Sequence, residues 1–273
     1  MATITLTSDF GYRNYITGGI KGCLLTGNQQ HNIVDISHEI EPFNFNDALY
    51  IFGNAYQHFP AHTWHLLFVN VFYRPIPQFL LAWHKGHYFA APDNGLLPMV
   101  LGDLPQQCIL LPMPKENALT IDWTKAIGQA IEEMEKGTSF HELGEEPEEI
   151  KRMATPQPAL GADYIEGHII FIDRFENVVI NIRRNIFDEV GRGRQFSISL
   201  TLNEKIEQIH QHYGQVREGD KLAFFNQSGY LEIAINKGNA AGLFGLRTTG
   251  SGSASRLNSR MFYERVRIHF FNA

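Results

Sequence analysis

Two segments far apart in the chain each place a carboxylate at the end of an apolar run, followed by phenylalanine and a turn. The first, Thr5-Leu6-Thr7-Ser8-Asp9-Phe10-Gly11, ends a strand on Asp9. The second, Ile172-Asp173-Arg174-Phe175-Glu176-Asn177-Val178-Val179-Ile180-Asn181-Ile182, offers Asp173, Phe175 and Asn177. A carboxylate beyond the carboxyl end of a strand can accept hydrogen bonds from two neighbouring hydroxyls, as on a ribose. Its competing use is to cap the helix that follows. Together the two segments suit a polar-lined pocket for a ribose and an amino acid. Val34-Asp35-Ile36-Ser37-His38 with Pro42-Phe43 adds a carboxylate, an imidazole and an aromatic face. Pro92-Asp93-Asn94-Gly95 reads as a tight turn.

The elements that must hold these residues fall into two patterns. Up to residue 150 strand and helix signals alternate. Residues 2–7, 33–36, 63–69, 79–83 and 88–91 read as strands. Residues 15–25, 45–59 and 124–135 read as helices, with glycines at 18, 19 and 22 for close packing and Pro60 as a stop. This alternation predicts an α/β domain over 1–150 with a mostly parallel or mixed central sheet. Residues 151–162 read as a linker, preceded by the acidic run Gly144-Glu145-Glu146-Pro147-Glu148-Glu149. From 163 to 273 short strands and turns dominate, which predicts a small all-β barrel domain. Gly250 to Ser255 is expected to be a polar loop.

Composition narrows the function classes. Of 273 residues, 44% are hydrophobic and 19% charged, the balance of a globular protein. A net charge of -6 argues against nucleic acid as the main partner. Arg183, Arg184, Arg192 and Arg194 form a local basic group, expected to be a solvated loop. No apolar run is long enough to span a membrane. No signal peptide is evident, and two cysteines without CxxC spacing fit a reducing cytoplasm. No HExxH spacing occurs among the 12 histidines, so no metal site is expected.

The order of five segments carries a resemblance. SDFG, VDISHEIEPF, PDNGLL, IDRFENVVINI and NQSGYLEIAINKGNAA closely resemble the S-adenosylmethionine hydroxide adenosyltransferase family, which includes the chlorinases and fluorinases that use the same substrate. The resemblance covers nearly the whole chain. It implies an α/β domain followed by a β-barrel, and a homotrimer with each ligand between subunits. The implied reaction is displacement at C5′ of S-adenosylmethionine with methionine leaving, and no cofactor. It assigns Asp9 to the ribose hydroxyls, Phe43 to the sugar, Asp173 to the methionine ammonium, Phe175 to adenine stacking and Asn177 to the adenine edge. Ser228, Asn236 and Lys237 lie in a segment that supplies further ligand contacts. Glu176 stands where the family usually has Gly, so the turn must tolerate a Cβ.

The segments expected to deliver hydroxide depart from the family pattern. Hydroxide-using members carry an Asp-Arg-His set, whose positions fall here on Asn70, Pro77 and Asp122. An amide cannot take a proton from water, and proline has neither charge nor N–H. Trp123 stands where halide-using relatives keep a small residue, which speaks against halogenation. Arg74 with Asp122 would orient a water in an altered arrangement; a simple salt bridge or surface pair is the plainer expectation. Three readings follow: a hydrolase with weak or rewired catalysis, an adenosyl-binding protein without chemistry, or an enzyme using Tyr73, Arg74 and Asp122 on a different nucleophile or substrate.

Overall fold

A computed structural model of the chain describes residues 1–201, 204–246 and 265–272. The expected loop at 250–255 lies outside them. The chain divides into two compact units, Met1–Thr155 and Pro156–Ala273.

The first unit is a three-layer α/β structure. Its strands are β1 (Thr3–Ser8), β2 (Asn32–Ser37), β3 (Trp64–Phe68), β4 (Phe79–His84), β5 (His87–Pro92) and β6 (Gln107–Leu110). They lie in the order β2-β1-β3-β5-β4-β6. β2, β1, β3 and β5 are parallel; β4 runs antiparallel to β5 and β6, so the sheet is mixed. Every residue of β3 is buried, as a central parallel strand covered on both faces requires. One face carries α1 (Tyr15–Gly27) and α4 (Thr120–Glu135), whose Ile20, Leu24, Trp123, Ile127 and Ile131 join Ile4, Leu6, Leu66 and Phe68 in one core. The other face carries α2 (Phe45–Ala55) and α3 (Leu96–Leu101), with Phe45, Phe52, Leu97 and Val100 packed on Leu67, Val69 and Leu80.

Details differ from the sequence reading for local reasons. α2 ends at Ala55 and passes into a single 3-10 turn before Pro60. α4 starts at Thr120, four residues early, because the Asp122 carboxylate accepts the Leu119 N–H at 2.9 Å and caps the first turn. Among glycines 18, 19 and 22, only Gly19 faces a neighbour closely: a Cβ there would meet Ile121 at 3.2 Å.

In the second unit the described strands include β7 (Ala159–Leu160), β8 (Tyr164–Ile172), β9 (Val178–Arg183), β10 (Gln195–Thr201), β11 (Glu204–Ile206), β12 (Ile209–His210), β13 (Lys221–Phe225), β14 (Tyr230–Ile235) and β15 (Arg265–Phe271). They pair in the order β11-β10-β15-β8-β9-β14-β13-β12, with β7 on β8. The sheet curls toward a barrel, bringing β11 beside β13. The unit is not purely β. Helix α5 (Arg184–Gly191) puts Ile186, Phe187 and Val190 against the core. The basic group is not a solvated loop either. Arg183, Arg184 and Arg194 stack over Tyr230, Phe225 and Phe270, at 4.0, 4.5 and 5.5 Å from the ring centroids.

Candidate functional site

In the first unit the candidate residues gather at a topological switch point. β1 and β3 are neighbouring parallel strands in register, Ser8 beside Phe68, and the chain leaves them in opposite directions across the sheet. Such a divergence opens a crevice beyond the strand ends. Asp9 stands one residue past β1 and Asn70 two past β3. Oδ2 of Asp9 accepts the backbone N–H of Asn70 at 2.9 Å and that of Phe43 at 3.4 Å. Both donors sit in left-handed backbone, at φ +49° for Asn70 and +64° for Phe43. Asparagine adopts this conformation readily; a bulky aromatic does so only when its surroundings hold it there. Phe43 is nevertheless 73% exposed. Oδ1 of Asp9 takes neither bond. Burial pushes the Asp9 carboxyl above its usual range, and the Asn70 and Phe43 amides pull against that shift.

Asn70 is pinned from the other side as well. The Asn94 amide, itself 2% exposed, donates to the carbonyls of Val69 at 2.9 Å and Asn70 at 3.2 Å. The Pro92-Asp93-Asn94-Gly95 turn therefore works as a clamp on the loop after β3. Its positive φ falls on Gly95, at +95°.

His38 braces the loop that carries Asp9. Its carbonyl accepts the Gly11 N–H at 2.8 Å, and its buried Nδ1 lies 2.7 Å from Ser8 Oγ. Ser8 Oγ in turn accepts the Phe10 N–H at 3.4 Å. Asp35 stands 3.2 Å from His38 Nε2 without the alignment of a hydrogen bond, and pairs with Lys21 at 2.6 Å. Burial works to raise the Asp35 carboxyl, but Lys21 and His38 outweigh it and hold the group low. Ser8 is fully buried, so this Ser-His-Asp chain supports the turn and offers no nucleophile.

Asp122 and Arg74, the pair that would orient a water in an altered arrangement, each have other partners. Asp122 pairs with Lys115 at 2.9 Å while capping α4. Arg74 donates to the carbonyl of Ile76 at 2.7 Å and lies over Tyr73, at 5.3 Å from its ring centroid. They do not pair with each other. Pro77 is buried. Trp123 is 1% exposed and stacked on Phe79 at 4.9 Å, a core residue.

In the second unit the candidate residues lie on the hairpin between β8 and β9. Oδ1 of Asp173 accepts the N–H groups of Phe175 and Asn177, both at 2.9 Å, and so shapes its own turn. Glu176 takes φ +62° there, so the turn expected for glycine is kept with a Cβ present. Phe175 is left 77% exposed. The Asn177 amide points inward. Its Nδ2 meets Asp173 Oδ2 at 3.0 Å, Tyr213 Oη at 2.8 Å and Glu232 Oε1 at 3.1 Å.

Glu232 and Tyr213 are the residues the sequence reading missed. Glu232 is 7% exposed on β14, and its Oε2 accepts from the Asn226 amide at 3.0 Å. Oδ1 of Asn226 accepts the N–H groups of Ser228 and Tyr230, both at 3.1 Å. A continuous chain thus links Asp173, Asn177, Glu232, Asn226 and the Ser228 turn. Burial and then neighbouring Asp173 push the Glu232 carboxyl up, against the hydrogen bonds of Asn226, Tyr213 and Asn177. Burial, with Glu232 beside it, pushes the Tyr213 phenol up to about 12. A signal was present: a single acid inside the apolar strand Tyr-Leu-Glu-Ile-Ala-Ile. Asn236 and Lys237 lie past the other end of β14, bonded to the Val216 carbonyl at 3.0 Å and Glu218 at 2.7 Å.

Among the described residues no cluster of His, Cys, Asp or Glu is arranged to hold a metal ion, and no helix is long and apolar enough to cross a membrane.

Residues 4–144 match the N-terminal domain of the S-adenosylmethionine hydroxide adenosyltransferases, and residues 167–251 match their C-terminal domain. A protein named (R)-S-adenosyl-L-methionine hydrolase from Methanocaldococcus jannaschii is 27% identical, over 88% of this chain and 90% of its own length. One of the same name from Thermus thermophilus is 26% identical, over 90% and 97%. A fluorinase from Nocardia brasiliensis is 23% identical, over 89% and 93%. The crystal structure of an uncharacterized conserved protein from Thermotoga maritima shares the fold, with a TM-score of 0.78 over 97% of this chain and 99% of that one at 21% identity. With both domain models matched in order along its length, the chain belongs to the S-adenosylmethionine hydroxide adenosyltransferase family.

Proposed function

We propose that the protein binds S-adenosylmethionine and hydrolyses it slowly to adenosine and L-methionine. A water oxygen bonds to C5′, the C5′–S bond breaks, and its electron pair neutralises the sulfonium as methionine leaves. The water proton passes to solvent. The sulfonium is already an activated leaving group, so no cofactor is called for and the protein's task is to desolvate and align. The observation that carries this reading is the switch-point crevice, where Asp9 holds two left-handed loops and Phe43 stays exposed beside it.

In this reading Asp9 accepts from the ribose hydroxyls, Phe43 flanks the sugar, Phe175 stacks on adenine and Asn177 meets the base edge. Asp173 takes the methionine ammonium, while Ser228, Asn236 and Lys237 supply outer contacts. The family resemblance supports a homotrimer with sites completed by neighbouring subunits, and the two unpaired cysteines suit the cytoplasm. Asn70, at the position of the family's Asp, orients water through its amide but accepts no proton from it. General-base assistance is worth about 10²–10⁴-fold, and turnover is slow by that order.

A second reading, binding without turnover, is favoured by one observation: Asp122 and Arg74 are both engaged away from each other. Calorimetric titration with S-adenosylmethionine and with adenosine, followed by chromatography of the mixture, tests both. Binding of each ligand with slow release of adenosine is expected. Absence of heat and of any thermal shift with either ligand would contradict both readings.

A further inference from the structure

We infer that Asp47, on α2, is a positioning residue for the aromatic beside the ligand's sugar, holding Phe43 through the turn that carries it. The inference rests on the adenosyl-binding reading and names the group that shapes its sugar side. Glu41-Pro42-Phe43-Asn44 is a four-residue turn, closed by the Asn44 N–H donating to the Glu41 carbonyl at 2.9 Å. Pro42 presets its second position, and φ +64° at Phe43 gives the type II pattern, which calls for glycine or asparagine there. Phenylalanine keeps that backbone only under constraint. The flanks of the turn are fixed, because Ile40 and Phe45 are both buried in the core beneath α2. Its apex, Pro42 and Phe43, is exposed. Two carboxylates hold it from outside. Asp9 takes the Phe43 N–H at 3.4 Å, a long bond, and Asp47 takes the Glu41 N–H at 2.9 Å.

Asp47 does not do the usual work of an acid at the third position of a helix. In a capping box that acid accepts the N–H of the N-cap residue. Here the N-cap is Asn44, whose Oδ1 caps the helix by accepting the N–H groups of Asn46 at 3.1 Å and Asp47 at 3.2 Å. The N–H of Asn44 goes to the Glu41 carbonyl. Oδ2 of Asp47 reaches three residues further out, to Glu41, so its bond braces the turn and not the helix. Burial pushes the Asp47 carboxyl up to about 6, the Glu41 N–H pulling against that rise and the Glu41 charge adding to it. Without this acceptor the Glu41 N–H loses its partner and the turn is free to leave its left-handed conformation. Phe43 then stands in place for only part of the time, and apparent affinity falls by that fraction.

The test is calorimetric titration of the full-length protein with adenosine, for the wild type, Asp47→Ala, Phe43→Ala, the double variant and Asp47→Asn, with chemical denaturation of each. Asp47→Ala is expected to weaken adenosine binding about 10-fold, the scale of a lost hydrogen bond to a charged group. An effect carried by Phe43 vanishes once the ring is gone, so the double variant is expected to bind as Phe43→Ala alone does. Asp47→Asn keeps an oxygen for the Glu41 N–H and is expected to bind close to the wild type. Should Asp47→Ala not fold, Asp47→Ser takes its place in the cycle, its oxygen one bond short of Glu41. Equal weakening by the Asp47 substitution with and without the Phe43 ring overturns the inference. So does an unchanged affinity with only a lower denaturation midpoint, which assigns Asp47 a purely structural role. A loss in Asp47→Asn as large as in Asp47→Ala overturns it too, because the acceptor is then not what matters. All three leave nucleoside binding standing. Failure of the wild type to bind adenosine overturns the adenosyl-binding reading as well.

Discussion

The carboxylate of Asp9 holds the backbone N–H of Asn70 at 2.9 Å, across the ends of two neighbouring parallel strands. One group thereby shapes the loop after β3 and faces the crevice where a ligand would lie. In the proposed reading binding and folding are coupled through it, and the two effects separate by substitution. Asp9→Ala leaves the Asn70 and Phe43 N–H groups without their acceptor and is expected to cost about 1–3 kcal/mol of stability, along with adenosine binding. Asp9→Asn keeps an acceptor oxygen and is expected to fold with smaller loss while still binding more weakly, because the charge-assisted bonds to hydroxyls are gone. Chemical denaturation beside calorimetry on both variants checks this; equal stability loss in the two would contradict it.

The His65 imidazole predicts a pH dependence of stability. It is fully buried on β3, with Nδ1 2.7 Å from Thr5 Oγ1 and Nε2 3.2 Å from His87 Nδ1. Burial, with His87 adding to it, holds its pKa down to about 3, against 6.5 for an ordinary histidine. Below pH 6.5 the unfolded chain takes up a proton that the folded chain refuses until about pH 3, so stability falls as pH drops through that window. The slope from this group is at most about 1.4 kcal/mol per pH unit. His65→Phe should be less stable at pH 7, because Thr5 and His87 lose a partner, yet lose less on acidification. Denaturation midpoints of both proteins between pH 7 and pH 4 provide the comparison, and parallel curves would contradict the assignment.

Glu176 predicts a stabilising substitution. At φ +62° a side chain pays a steric penalty that glycine avoids, on the order of 1 kcal/mol. Glu176→Gly is expected to raise the melting temperature by about 2–4 °C, the shift such a gain gives a chain of this size. A lowered melting temperature would show that the glutamate side chain makes up for the strain.

How much of this was legible in the sequence follows the range of the interactions. Asp9 at a strand end, the glycine-like turn at Glu176 and the paired segments were visible because a turn needs particular residues within a few positions. The Asp122 cap was harder to see. Its partner at the N-cap is Leu119, which lacks the side-chain oxygen of the usual capping pair. Helix α5 was hidden by its eight residues, too few for a clear period. Glu232 and Tyr213 act on Asn177 from 55 and 36 residues away, and nothing local announces such a meeting. Only the lone acid in an apolar strand hinted at it. The same limit applied to Asn94, whose turn was readable while its grip on Val69 and Asn70 was not.

The central claim is that this chain keeps a grip on the adenosyl group and lacks a base for water at Asn70. Single-turnover chromatography of S-adenosylmethionine with excess enzyme, comparing the wild type with Asn70→Asp, tests it most directly. The Asn70 backbone is already pinned by Asp9 and Asn94, so a carboxylate there enters a prepared loop. The account predicts slow adenosine release by the wild type and a rate on the order of 10²-fold higher for Asn70→Asp. A wild-type rate that equals or exceeds that of Asn70→Asp, with both proteins binding the substrate, would contradict it.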